Sequence, residues 1–153
     1  MSLLSWFPFN GDTKDYGTLG LIPSVSSISY ATGKIGKCLS NGYLYLTAEQ
    51  TEKLFHKTTS ISFWLYTKKG SGEGNNIIGN QSMGSGNNRK FSTWIYSYST
   101  ESILHCSWQQ DSTPNSETYI STWISMPIEQ WNFITLVQDV ENNVINLYVN
   151  GDS

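Results

Sequence analysis

Apolar and polar positions alternate with a period of two along residues 130–151, and the alternation predicts a β-hairpin. In the first arm Trp131, Phe133, Thr135 and Val137 share one side, and Asn132, Ile134, Leu136 and Gln138 the other. In the second arm Ile145, Leu147 and Val149 oppose Val144, Asn146 and Tyr148. Asp139, Glu141, Asn142 and Asn143 lie between the arms, and these types bond their own backbone or tolerate positive φ, so the chain reverses there. Both sides of the arms are largely apolar. That predicts a central strand pair with more sheet beside it and something packed over each face.

The same period recurs upstream. Leu3–Phe9 alternates and ends near Pro8, which cannot donate to a ladder, so it is expected as an edge strand that turns at Asn10-Gly11-Asp12. Leu19–Val25 is a short apolar segment broken by Pro23. Gly33–Leu39 leads into a strand, and Asn41-Gly42 predicts a tight hairpin joining Lys37–Ser40 to Tyr43–Thr47. Ala48–Lys57 alone has helical spacing, enough for one or two turns. Thr59–Thr67, Phe91–Tyr98, Ser102–Gln109 and Thr118–Met126 read as strands. Gly70–Asn76 and Gly84–Asn88 are Gly, Ser and Asn-rich loop tips expected to be mobile. Strands never alternate with long helices, which excludes a parallel βαβ architecture. The expected fold is all-β, an antiparallel two-sheet β-sandwich in one domain spanning residues 1–153.

Composition narrows the function classes. Charged residues make up 14% of the chain, the net charge is -3, and the nine basic residues are scattered, so no stripe exists to neutralise phosphates and nucleic acid is excluded as a partner. No apolar run approaches a membrane span, and Met1–Phe9 lacks the features of a secretory signal. Cys38 and Cys106 stand outside any metal-ligand spacing and read as two buried thiols.

Four stretches, taken in order, carry a likeness. They are Trp6-Phe7-Pro8-Phe9-Asn10-Gly11 with Asp15-Tyr16-Gly17, then Gly33-Lys34-Ile35-Gly36-Lys37-Cys38-Leu39, Ser60-Ile61-Ser62-Phe63-Trp64-Leu65, and Trp131-Asn132-Phe133-Ile134 through Leu147-Tyr148-Val149-Asn150-Gly151. With them the chain resembles the laminin-G-like domains of the concanavalin A-like lectin/glucanase superfamily. The resemblance implies a jelly roll with a convex and a concave sheet. It does not imply one function, because such domains bind glycans, proteins or metal and some relatives hydrolyse polysaccharides. In the family the Tyr-Val-Asn-Gly turn leads into another strand, whereas this sequence stops at Ser153. The final strand is therefore expected from a longer polypeptide or from a partner that donates it, the remaining alternative being an open edge.

A hydrolase of this kind would need two carboxylates close together on one strand face. Glu49 and Glu52 fall in the helical segment, Asp139 and Glu141 in a turn, and Glu101 and Glu117 stand alone, so no enzyme is expected. His56 and His105 are isolated, and no Gly-x-Ser-x-Gly elbow is present. Calcium, which some relatives bind, has candidate ligands in Asp12 and Asp15 with Asn10, and in Asp139 with Asn142, although such residues also make turns.

Sugar binding fits the aromatic strands best. Pyranose C–H faces stack on aromatic planes while amides and hydroxyls bond the ring edge. Trp94, Tyr96 and Tyr98, with Tyr119 and Trp123, are candidate platform residues, and Asn87, Asn88 and Gln109 a candidate rim. The same alternation is also what a core or an oligomer interface requires. The expected role is a non-catalytic binding or structural module of a phage or viral particle, a fibre or head-surface protein assembled in the host cytoplasm, with glycans or other virion subunits as partners and homo-oligomers among the outcomes. The alternative is a secreted or cell-surface lectin module attached to a polysaccharide-degrading enzyme.

Overall fold

The computed structural model describes residues 3–55, 58–79, 92–109, 119–139 and 141–153. Among the described residues the elements are antiparallel strands and one short helix, so the fold is all-β. The chain forms two compact units, Met1–His56 and Lys57–Ser153.

The first unit contains β1 (Ser24–Thr32), β2 (Lys37–Tyr45) and α1 (Ala48–Phe55). Leu3–Phe9 forms no strand. Its backbone is held instead by the returning loop, with Tyr16 N donating to Trp6 O at 2.8 Å and Leu19 N to Leu4 O at 2.8 Å. Gly17 sits so close that a Cβ there would lie 2.4 Å from Ser5 Cα. Nor does Asn41-Gly42 make a turn: β2 runs through it, and the reversal is at 33–36, where Gly33 N donates to Gly36 O at 2.9 Å.

Opposite Asn41-Gly42, β1 carries an extra residue between Ser26 and Ser29, with Ser27 at φ 54° and Gly42 at φ 100°. The dipeptide's tolerance of positive φ thus serves a bulge rather than a hairpin loop. A Cβ at Gly42 would stand 2.6 Å from Ser27 O and 2.7 Å from Ser26 O. We expect Gly42→Ala to destabilise this unit by about 2 kcal/mol, read as a lowered thermal midpoint, because both the φ and the space are closed to a side chain. Helix α1 opens on a reciprocal cap, in which Gln50 N donates to Thr47 Oγ1 at 3.2 Å and Thr47 N to Gln50 Oε1 at 2.9 Å.

The second unit contains β3 (Thr59–Tyr66), β4 (Gly74–Gly79), β5 (Ser92–Ser97), β6 (Glu101–Gln109), β7 (Tyr119–Pro127), β8 (Trp131–Asp139) and β9 (Val144–Val149). The sheet orders are β3-β8-β9 and β4-β5-β6-β7. The β8–β9 hairpin forms as its alternation predicts, with Leu136 opposite Leu147 and Gln138 opposite Ile145. Part of Gly70–Asn76 is strand rather than loop tip, since β4 begins at Gly74. Gly84–Asn88 lies outside the described residues.

Ile134, Leu136, Ile145, Leu147 and Val149 are buried on one sheet, and Ile95, Leu104, Cys106 and Met126 on the other, where β9 packs against β6 and β7. The expectation of cover on both faces of the hairpin is corrected. Only the Asn132–Gln138 side of β8 is fully buried, while Trp131, Thr135 and Val137 are half-buried and Phe133 is exposed. The pair is not central either: β8 has neighbours on both sides, whereas β9 is bonded to β8 alone among the described strands.

Asn132 on the buried side donates through Nδ2 to Pro127 O at 2.8 Å, and its Oδ1 accepts from Asn150 Nδ2 at 3.1 Å. Asn150 Oδ1 in turn accepts from Phe133 N at 2.9 Å, so two amides tie the β7–β8 connection to the turn after β9. Both cysteines are free. Cys106 is buried, and burial pushes its thiol up to about 11 against a weaker opposing bond from Thr93. Cys38 is only half-buried, its Sγ lying 3.7 Å from Thr32 O, so one thiol of the expected two behaves as core.

Candidate functional site

The outer face of the four-stranded sheet holds the aromatic residues that the strand alternation singles out. Trp94 on β5 lies directly opposite His105 on β6, and His105 directly opposite Trp123 on β7. Adjacent strands sit about 4.8 Å apart, the spacing at which flat rings in register stack. The rings do so, with His105 3.8 Å from Trp123 at 13° and 5.3 Å from Trp94 at 16°. Tyr96, two residues along β5, reaches Trp123 at 5.6 Å and 33°.

Exposure falls steeply along this stack. Trp94 is 2% exposed and His105 7%, whereas Trp123 is 55% exposed. Trp94 therefore belongs to the support and not to an accessible platform, which corrects its expected role. Trp123, on the strand that ends this sheet among the described residues, offers the accessible indole, stacked on His105 on one side. Tyr98 is not part of the stack: it follows β5, donates its N–H to Glu101 O at 2.8 Å, and lays its ring against Gly72. Gln109 and Tyr119 are backbone register partners, and their side chains lie outside what is described, as do Asn87 and Asn88.

His105 is the participant that sequence reasoning missed. Its isolation in the chain hid it, although its parity in β6 was legible. A second missed pair is Glu101 and Ser125 on the same face, where the Ser125 hydroxyl donates to Glu101 Oε2. Among the described strand residues of that face, Glu101 carries the one carboxylate.

The candidate calcium ligands Asp12, Asp15 and Asp139 accept hydrogen bonds from backbone and side-chain donors of their own loops. Asp15 is buried; its Oδ1 accepts from Trp6 N and Gly17 N, both at 2.7 Å, and Oδ2 from Leu21 N at 2.8 Å. Burial disfavours its charge, yet these backbone bonds outweigh it and hold the carboxyl below its ordinary range. Asp12 accepts from Lys14 N at 3.2 Å and from the Tyr16 hydroxyl at 3.0 Å, a bond that raises the Tyr16 phenol. Asp139 caps its turn through Asn142, Nδ2 at 2.8 Å and N at 3.1 Å. No group of three metal-ligating side chains occurs among the described residues. Glu49 is paired with Lys53 at 2.8 Å on an exposed helix face, in keeping with a solvated role.

The three-stranded sheet has an aromatic outer face of its own. Trp64 meets Phe133 at 5.0 Å and 52°, and Tyr66 meets Trp131 at 5.5 Å and 60°. Trp64 and Phe133 also line a shallow depression with Asn150 and Gly151. These steep ring angles make wedges rather than a flat shelf. No helix among the described residues is long and apolar enough to cross a membrane.

Two antiparallel sheets closing over one apolar layer, with aromatic residues on their outer faces, define a β-sandwich binding or structural module. A family model described as concanavalin A-like lectin/glucanases superfamily, of laminin G type, matches residues 40–153, and the chain belongs to that family. Comparison with curated proteins and with solved structures returned no match. The matched span includes the Ser60–Leu65 and Trp131–Gly151 motifs; the Trp6–Gly17 and Gly33–Leu39 motifs precede it. Laminin G-like domains are generally non-catalytic binding modules, which makes this chain a carbohydrate-binding or structural module at that level.

Proposed function

We propose that this chain is a non-catalytic glycan-binding module whose stacking surface is Trp123, assisted by Tyr96. The observation that carries the reading is an indole 55% exposed yet immobilised by a ring 3.8 Å behind it. A flat apolar plane held in place before the ligand arrives spares the ordering cost of binding, and sugar C–H faces match it. Hydrolysis is disfavoured because a retaining or inverting pair needs two carboxylates flanking the bond. Glu101 has no second carboxylate beside it on the described strands of that face.

Trp123→Ala is expected to lower glycan affinity by tenfold or more while leaving the unfolding free energy within about 1 kcal/mol of the parent, since the side chain is largely in solvent. Titration calorimetry with glycans selected on an array checks the affinity, and urea titration checks the stability. Binding of undiminished strength by the variant would sink the proposal.

A second reading, an architectural subunit, draws support from the exposed Trp64, Tyr66 and Phe133 on the three-stranded sheet. Mass measurement in solution separates the two. A stable oligomer that protects Trp64 favours architecture, and a glycan-binding monomer favours recognition. For the setting we retain a phage or viral fibre or head-surface protein, with a secreted or cell-surface lectin module beside a degradative enzyme as the alternative; the aromatic strands and Ser/Asn/Gly-rich loops accord with either. A single jelly-roll domain covering residues 1–153 is part of the same proposal.

A further inference from the structure

We propose that Glu101 makes the Trp123 platform a site for neutral pyranosides with adjacent ring hydroxyls, and that its charge turns away uronates and sialylated sugars. The inference rests on the glycan-binding reading above. Its geometry comes from register. His105 faces Trp123, Ile103 faces Ser125 and Glu101 faces Pro127 across β6 and β7, and all six alternate onto one side of the sheet.

Glu101 does not extend straight across to Pro127. It leans along the face to Ser125, whose hydroxyl it accepts through Oε2. Ser125 is two residues from Trp123 on the same strand, so their backbone positions lie ~7 Å apart along the face and the carboxylate is held at the Ser125 hydroxyl. That separation is comparable with a pyranose ring and its hydroxyls, so a sugar stacked on the indole face away from His105 can turn one edge toward the carboxylate that Glu101 holds at Ser125.

A carboxylate offers about four acceptor sites, and the Ser125 hydroxyl occupies one. Two neighbouring sugar hydroxyls donating to the two oxygens fill others with charge-assisted bonds. An anionic sugar at that edge brings like charge against like charge instead, and no salt bridge to Glu101 occurs among the described residues to relieve it. Ile103, opposite Ser125, and Tyr96, opposite Ile103, supply apolar surface beside the indole and the carboxylate.

The test uses methyl β-glucopyranoside and methyl β-galactopyranoside against the corresponding methyl uronides, titrated into the full chain and into Glu101→Gln, Ser125→Ala and Trp123→Ala. The parent is expected to prefer the neutral glycosides by tenfold or more. Glu101→Gln should weaken neutral binding about tenfold and bring the preference below about threefold, because the amide keeps one acceptor but loses the charge. Ser125→Ala should weaken neutral binding less while preserving the preference, since the charge stays and only its tether goes. Glu101 and Ser125 are exposed, so circular dichroism should show all three variants folded.

An unchanged neutral-to-uronide ratio in Glu101→Gln, with binding still lost in Trp123→Ala, overturns the role of Glu101 and spares the platform. No binding of any glycoside to the parent overturns both.

Discussion

Trp94→Ala is expected to destabilise the second unit by about 4 kcal/mol, the largest effect of any single change on the platform face. The indole is 2% exposed and stacked on His105, so its removal leaves a cavity that the surrounding sheet backbone cannot close. The lost transfer energy and the lost dispersion contacts then add. Urea titration should show a lower midpoint with an unchanged slope, the signature of reduced stability rather than an altered unfolded state. Trp94→Phe keeps a ring against His105 and should lose roughly half as much, about 2 kcal/mol. A loss below about 1 kcal/mol for the alanine variant would mean that Trp94 is not the buried support assigned here. The contrast with Trp123→Ala is informative because the two residues are the same type on the same face. One should alter folding and the other binding.

The second large effect belongs to Asp15. One carboxylate organises the first unit by receiving three backbone N–H groups from residues 6, 17 and 21, and Asp15→Ala strands all three donors. At about 1–3 kcal/mol for each donor left without a partner, partly relieved by water, the expected loss is about 4 kcal/mol. Asp15→Asn is the more discriminating variant. Its remaining oxygen can serve Trp6 and Gly17, but its NH2 then faces the Leu21 N–H, donor against donor. It should lose about half as much, with accelerated hydrogen exchange at the Leu21 amide.

The pH dependence has a definite sign. The folded carboxyl titrates below its unfolded counterpart, so the unfolded state binds the proton first as pH falls. The stabilisation is complete above the unfolded value of about 4 and is lost as pH drops through the folded value. Melting followed between pH 6 and pH 2 should show a decline of the first unit that is clearly smaller in Asp15→Asn, where the exposed Glu49–Lys53 pair is the remaining lowered carboxylate. Equal acid sensitivity in parent and variant would contradict this role.

Period-two alternation was enough to locate β3, β5, β6, β7, β8 and β9, because each has one face turned to an apolar layer and a strand repeats every two residues. β1 escaped notice for the complementary reason. Ser24–Thr32 is serine-rich and mostly exposed, so no alternation marks it. Without that partner in view, Asn41-Gly42 reads as a hairpin loop, when the same positive-φ tolerance serves a bulge inside β2. Leu3–Phe9 alternates and yet is no strand, since its carbonyls are taken by the loop that Asp15 draws back across it.

The chemistry divides along the same line. Residue order alone determined an all-β sandwich, the β8–β9 hairpin, and aromatic residues at alternate positions of β5 and β7, since these follow from local alternation and side-chain type. Only the tertiary structure decided that Trp94 is interior and Trp123 open, that His105 stands between them, and that Glu101 bends to Ser125. Those outcomes depend on which strands become neighbours and in what register, a long-range choice that shifts by one whole face for each residue of slip and leaves no trace in the spacing within any single strand.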